Sequence, residues 1–142
     1  MSQLNAPALV ILHEWVQAES LRRHCYAVAD SMKYFAAQNA GADPDLWEAV
    51  GLLHDMDYER HPNQEQDPTA GHPFIGVNWL HEHGWSEEIC RAILSHAEYS
   101  GVARATRARR GVRSRLSVWP TSAPCFASSS AISSKIWKSG AV

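Results

Sequence analysis

The stretch Asp43-Pro44-Asp45-Leu46-Trp47-Glu48-Ala49-Val50-Gly51-Leu52-Leu53-His54-Asp55 decides the fold. It opens with a capping carboxylate, followed by proline at the position where a helix tolerates it best. Leu46, Val50 and Leu53 then recur at helical spacing, which predicts a helix running to about Asp55. The apolar run Val50-Gly51-Leu52-Leu53 buries that helix and leaves His54 and Asp55 at its inner end. Upstream, residues 8–18 carry Leu9, Leu12, Trp15 and Val16 at helical spacing. A second helix, capped by Ser20, presents Leu21, Cys25, Val28, Met32 and Phe35, with Gly41 as its stop. Downstream, Asp57 to Gly71 is polar, holds two prolines and has no period, so it reads as a loop. A fourth helix covers His72 to His83 and ends at Gly84. Ser86, followed by Glu87 and Glu88, caps a fifth through Ile89, Ile93 and Leu94. Nothing alternates as a strand does, and the sequence predicts an all-α bundle.

The chain has 142 residues, the size of one domain, and 45% apolar residues are enough for a core. The net charge of −2 argues against a nucleic-acid binder driven by overall charge. No apolar run reaches the ~18 residues needed to cross a bilayer, and the start Met-Ser-Gln-Leu-Asn lacks the basic opening of a secretory signal. Cys25, Cys90 and Cys125 are odd in number and far apart, as expected of reduced thiols in a cytoplasmic protein.

Five residues stand out by position: His24 on the second helix, His54 and Asp55 at the end of the third, His72 at the start of the fourth and His96 at the end of the fifth. Side chains from facing helices of a bundle can meet in one pocket. Imidazoles with a carboxylate suit a divalent transition metal such as Mn, Fe, Co, Ni or Zn. An adjacent His-Asp pair on one helix points both ligands the same way only if the helix end bends. Asp57 and Glu59, just beyond the pair, are the candidates to orient a water, and Arg60 and His61 the candidates to meet a substrate phosphate. Arg22 and Arg23 read as facing water. His13, His81 and His83 read as surface or packing residues, and Trp15, Trp47, Trp79 and Trp85 as packing.

The order His … His-Asp … His … His resembles the HD-domain superfamily of metal-dependent phosphohydrolases. The stretches Gly-Leu-Leu-His-Asp-Met-Asp-Tyr-Glu-Arg-His-Pro (51–62), His-Pro-Phe-Ile-Gly-Val (72–77) and Ala-Ile-Leu-Ser-His-Ala-Glu-Tyr-Ser-Gly-Val (92–102) look like a group of small bacterial members, and the likeness covers about residues 8–106. The resemblance implies a helical bundle and a hydrolase of a phosphate ester or anhydride, with a nucleotide among the possible substrates. It also implies one or two divalent ions. His24, His54 and Asp55 match the family's metal ligands. His72 and His96 match positions that hold a second metal or meet the phosphate in two-metal members. The partner expected is a small phosphorylated substrate, with no membrane and no nucleic acid.

The resemblance also implies a last ligand, an Asp well beyond His96, and here the chain departs from it. Residues 1–99 hold all fifteen acids and five basic residues, a charge of −10. Residues 100–142 hold no acid, eight basic residues and ten serines, a charge of +8. The sequence therefore divides into a helical domain over 1–106 and a basic, Ser/Arg-rich tail over 107–142. The tail reads as disordered, or as a stretch translated in a shifted frame. Read one base earlier, the triplet spanning Trp119 and Pro120 is always an Ala codon, and the next two allow Asp-Glu. A rival expectation is a genuine basic tail in which Arg107, Arg109, Arg110, Arg113 and Arg115 bind nucleic acid or an acidic partner. Without the last Asp, the alternative to an enzyme is a weak or inactive metal-binding helical module.

Overall fold

A computed structural model describes residues 3–103, and every structural statement below concerns them. The tail over 107–142, with its arginines, Cys125 and the residues Trp119, Phe126 and Trp137, lies outside the described residues. Five helices follow one another: α1 (Asn5–Trp15), α2 (Glu19–Ala37), α3 (Pro44–Leu53), α4 (Phe74–Glu82) and α5 (Glu87–His96). A short 3₁₀ turn follows at Glu98–Ser100. No strand occurs among the described residues, as the sequence predicts.

The local signals act as read at two of the helix starts. Asp43 accepts hydrogen bonds from the amides of Asp45 and Leu46, with Pro44 at the first position of α3. Ser86 accepts from the amide of Ile89 at the start of α5. Ser20 does not cap α2. The helix begins earlier, with Ala18 at its cap and Ser20 inside the first turn, and the end of α1 is bonded from elsewhere. Arg22 donates to the carbonyls of Val16 (2.7 Å) and His13 (3.0 Å), so it faces α1. Arg23 pairs with Glu19 on the exposed side of α2. α1 ends at Trp15, which leaves Val16 outside the helix but fully buried. α4 begins at Phe74, so His72 precedes its helix and belongs to the loop.

α2 and α3 form the centre, with α1 and α5 against α3 and α4 against α5. The core includes Leu12, Val16, Cys25, Met32, Val50, Leu53, Leu80 and Ile93. Trp15 and Trp47 are buried in it, while Trp79 and Trp85 pack against its edge. The central pair is close because of Gly51. A Cβ at that position would lie 2.5 Å from the Cα and 2.7 Å from the amide nitrogen of Ala29. Only hydrogen lets the two backbones approach so far, and the approach sets His24 on α2 against His54 at the end of α3.

Candidate metal centre

α3 stops at Leu53, and the chain turns through His54–Arg60. This is the bend that an adjacent His-Asp pair needs in order to converge. His54, Asp55, Asp57 and His72 are all buried, and His24 keeps 22% of its side chain exposed and forms the open side of the cluster. Five predicted residues from four segments meet here, with Asp55 in the middle.

The two carboxylate oxygens of Asp55 serve two different groups. Oδ2 lies 3.4 Å from His24 Nε2 and 3.3 Å from His54 Nε2, which are 3.3 Å from each other. Oδ1 lies 3.4 Å from His72 Nε2 and 3.5 Å from His96 Nε2, which are 3.1 Å apart. Metal–ligand bonds of about 2.1 Å give ligand-to-ligand edges of about 3.0 Å at octahedral angles and about 3.4 Å at tetrahedral ones. All six observed edges fall close to that range. His24, His54 and Asp55 could thus hold one ion, and Asp55, His72 and His96 a second.

Proton accounting supports the same reading. His54 Nδ1 lies 2.8 Å from the carbonyl of Gly51, and His96 Nδ1 bonds the carbonyl of Ile93. A carbonyl only accepts, so both Nδ1 atoms carry the proton and both neutral Nε2 atoms present lone pairs to the centre. His72 Nδ1 donates to Asp57 Oδ1 at 2.6 Å, which turns its Nε2 inward in the same way. Asp55 Oδ1 is buried and accepts no hydrogen bond. Lone pairs facing lone pairs around an unbonded buried carboxylate oxygen are an electrostatic deficit that a divalent cation removes. The donor set fits a transition metal.

The electrostatics agree. Burial pushes Asp55 toward protonation, but the polar imidazoles of His54, His24 and His96 around it outweigh burial and hold the carboxyl well below the usual carboxylate range. Burial likewise pulls His72 down, but the hydrogen bond to Asp57 and the charges of Asp55 and Asp57 leave it above its ordinary value. For His96 burial prevails and the pKa is lowered. Cys25, behind the cluster, is raised well above the ordinary thiol by burial and then by Asp55, so it stays a protonated core residue.

The structure departs from the sequence reading in the 57–61 turn. Asp57 is 1% exposed, and both its oxygens are engaged: Oδ1 with His72 and Oδ2 with the amide of Gly76 at 2.7 Å. It stands behind His72 and is not placed to orient a water. Glu59 turns the other way. Its Oε2 accepts from the amides of Gln17 and Ala18 at 2.9 and 3.0 Å, so it ties the α1–α2 joint. Arg60 bonds the carbonyl of Glu14 and covers the ring of Trp15 at 4.9 Å, while His61 packs near the same ring. Instead of a phosphate site, Glu59, Arg60 and His61 form a clamp on the end of α1. The physical reason is the turn itself, which leaves Asp57 facing His72 and Gly76 and carries the next residues, Glu59 to His61, round to the end of α1. His81 and His83 are exposed, with His83 stacked on Trp79, and His13 bonds Tyr26 at the surface.

Three residues that hold His72 and Asp57 in place escape the sequence reading. Asn63 Nδ2 lies within hydrogen-bond distance of the carbonyls of Asp67, Ala70 and His72. Tyr99 donates its hydroxyl to the His72 carbonyl at 2.9 Å. Gly76 leaves room for Asp57, since a Cβ there would lie 3.0 Å from its Cγ. An asparagine between prolines is the one cue that a loop would be organised around its side chain.

A family model described as HD domain matches residues 21–118. The match takes in all five converging residues and leaves α1 outside. No solved structure matches this chain significantly.

Proposed function

The chain belongs to the HD-domain family, a superfamily of metal-dependent phosphohydrolases, and on that premise we propose that it hydrolyses a small phosphate ester or anhydride at a two-ion centre. The observation that carries this reading is Asp55, whose two oxygens each face a separate pair of imidazole nitrogens at metal-ligand spacing. His24, His54 and Asp55 would hold one ion, and Asp55, His72 and His96 the other. Bound divalent ions supply a water of lowered pKa and neutralise phosphoryl oxygens as charge develops.

The chain's own residues supply placement and orientation. Asp55, ionised in its buried site, provides the negative charge that a set of imidazole ligands lacks. The backbone bonds of His54 and His96 keep their Nε2 atoms unprotonated and inward. His24, at the open side, marks where substrate reaches the centre. The −10 charge of residues 1–99 repels a phosphate, and Arg22 and Arg60 give donors to carbonyls of α1. Attraction of a phosphorylated substrate by the described domain therefore depends on the ions.

A second reading is favoured by one observation: no Asp or Glu follows Glu98. A chain lacking the family's last carboxylate would be a metal-binding helical module with little or no turnover. Hydrolysis of a generic aryl phosphate with added Mn²⁺, in the native chain and in Asp55→Ala, separates the two. Turnover abolished by the substitution supports the enzyme. Equal background rates with Mn²⁺ bound support the module, and equal rates with no Mn²⁺ bound refute both. The coding DNA decides the shifted-frame reading of the tail: an Asp codon near position 121 in the alternative frame supports it, and an early stop there ends it.

A further inference from the structure

Asp57 lies outside the proposed ligand set, yet no other polar side chain in the centre is as deeply buried. Its two oxygens do two jobs at once. One accepts from His72 Nδ1 at 2.6 Å, and the other from the backbone amide of Gly76 at 2.7 Å. Both partners are donors, so the position requires a group that accepts on both sides, which among the natural side chains of this size is a carboxylate. An asparagine fits the space but brings a donor to one of the two partners. If its NH₂ faces His72, the imidazole must accept at Nδ1 and carry its proton on Nε2, pointing into the centre.

The rest of His72 is fixed with equal care. Its amide donates to the carbonyl of His61 at 2.8 Å. Its carbonyl accepts from Asn63 at 3.0 Å and from Tyr99 at 2.9 Å. His72 follows a long polar loop and precedes α4, so no helix of its own sets its direction. His24 and His96, by contrast, are carried on helices, and His54 directly follows one.

We propose that Asp57 is a positioning residue that selects the Nδ1–H tautomer of His72, and that it thereby makes the Asp55–His72–His96 position a site for the second ion while leaving the His24–His54–Asp55 position independent of it. The inference rests on the two-ion reading above. It also predicts an asymmetry: the histidines of one position lie on a helix or directly after one, and the other position depends on a buried carboxylate behind a loop histidine.

The test uses the full chain and Mn²⁺ alone, with no substrate. The native protein is expected to take up two equivalents of Mn²⁺ by calorimetric titration. Asp57→Asn is expected to weaken one equivalent roughly 10–100-fold, the usual cost of losing such a partner, and to leave the other unchanged. Two equivalents bound as in the native chain, or both weakened alike, would overturn the proposal. A native chain that binds only one ion, or none, overturns the two-ion reading itself and this inference with it. Nitrogen-15 shifts of the His72 ring in the metal-free native chain give a second readout, which needs no variant and no bound ion. The Nδ1–H form is expected, and the Nε2–H form would overturn the proposal even if Asp57→Asn failed to fold.

Discussion

Gly51→Ala tests whether the close contact of α2 and α3 builds the centre. The added methyl would meet the Cα of Ala29 at 2.5 Å and its nitrogen at 2.7 Å, where ordinary contact begins at 3.4 Å. The obstacles are backbone atoms, so no side chain can swing aside, and the helices must part by about 0.9 Å, the difference between 2.5 and 3.4 Å. Overpacking of this kind costs about 1–3 kcal/mol. Alanine recovers up to ~1 kcal/mol of helix propensity over glycine. With rigid backbone on both sides the cost lies near its upper end, and the net loss is about 2 kcal/mol. At roughly 4–8 °C per kcal/mol for a domain of this size, the melting temperature should fall by about 10 °C. The same movement separates His24 from His54, so the ion that they share with Asp55 should bind more weakly. Thermal unfolding by circular dichroism, with and without Mn²⁺, reads both effects. An unchanged or raised melting temperature would refute the reasoning, because it would mean that the helices do not touch at Gly51.

Other expectations follow from particular contacts. Asp55→Ala should abolish binding of both ions, since both groups share that carboxylate, and equilibrium dialysis against Mn²⁺ measures it. Glu59→Gln should cost about 1 kcal/mol of stability through its bonds to Gln17 and Ala18 and leave Mn²⁺ affinity within twofold. A large loss of affinity would return Glu59 to the centre. Removing the cap in Asp43→Ala should cost about 1 kcal/mol by chemical denaturation, with no selective effect on either ion. Metal binding should strengthen as pH rises. His72 holds its proton above the ordinary value of 6.5, and a proton on Nε2 must leave before an ion binds. Affinity should therefore fall as pH drops through the raised pKa of His72, more steeply for the second ion. A pH-independent affinity between 6 and 8, read by titration, would contradict the assignment of His72.

The sequence by itself determined the helices and the identity of the converging residues. Caps, prolines and 3.6-residue spacing are local, so Asp43-Pro44, Ser86 and the apolar run at 50–53 could be read without a partner in view. The family likeness then placed His24, His54, Asp55, His72 and His96 in one centre. Ser20 misled because a serine at a plausible start carries the same signal whether it caps the helix or sits two residues inside its first turn. Only the tertiary structure decided the rest. Asp57, Glu59, Arg60 and His61 stand close together in sequence, and nothing local tells which side of the turn each faces. Packing against Gly76 and the end of α1 settles that. The two faces of Asp55 emerge only when four segments meet, and their meeting depends on the absence of one methyl group at Gly51. Hydrogen bonding within a few residues is written into the chain, whereas the direction of a buried side chain is fixed by atoms far away along it.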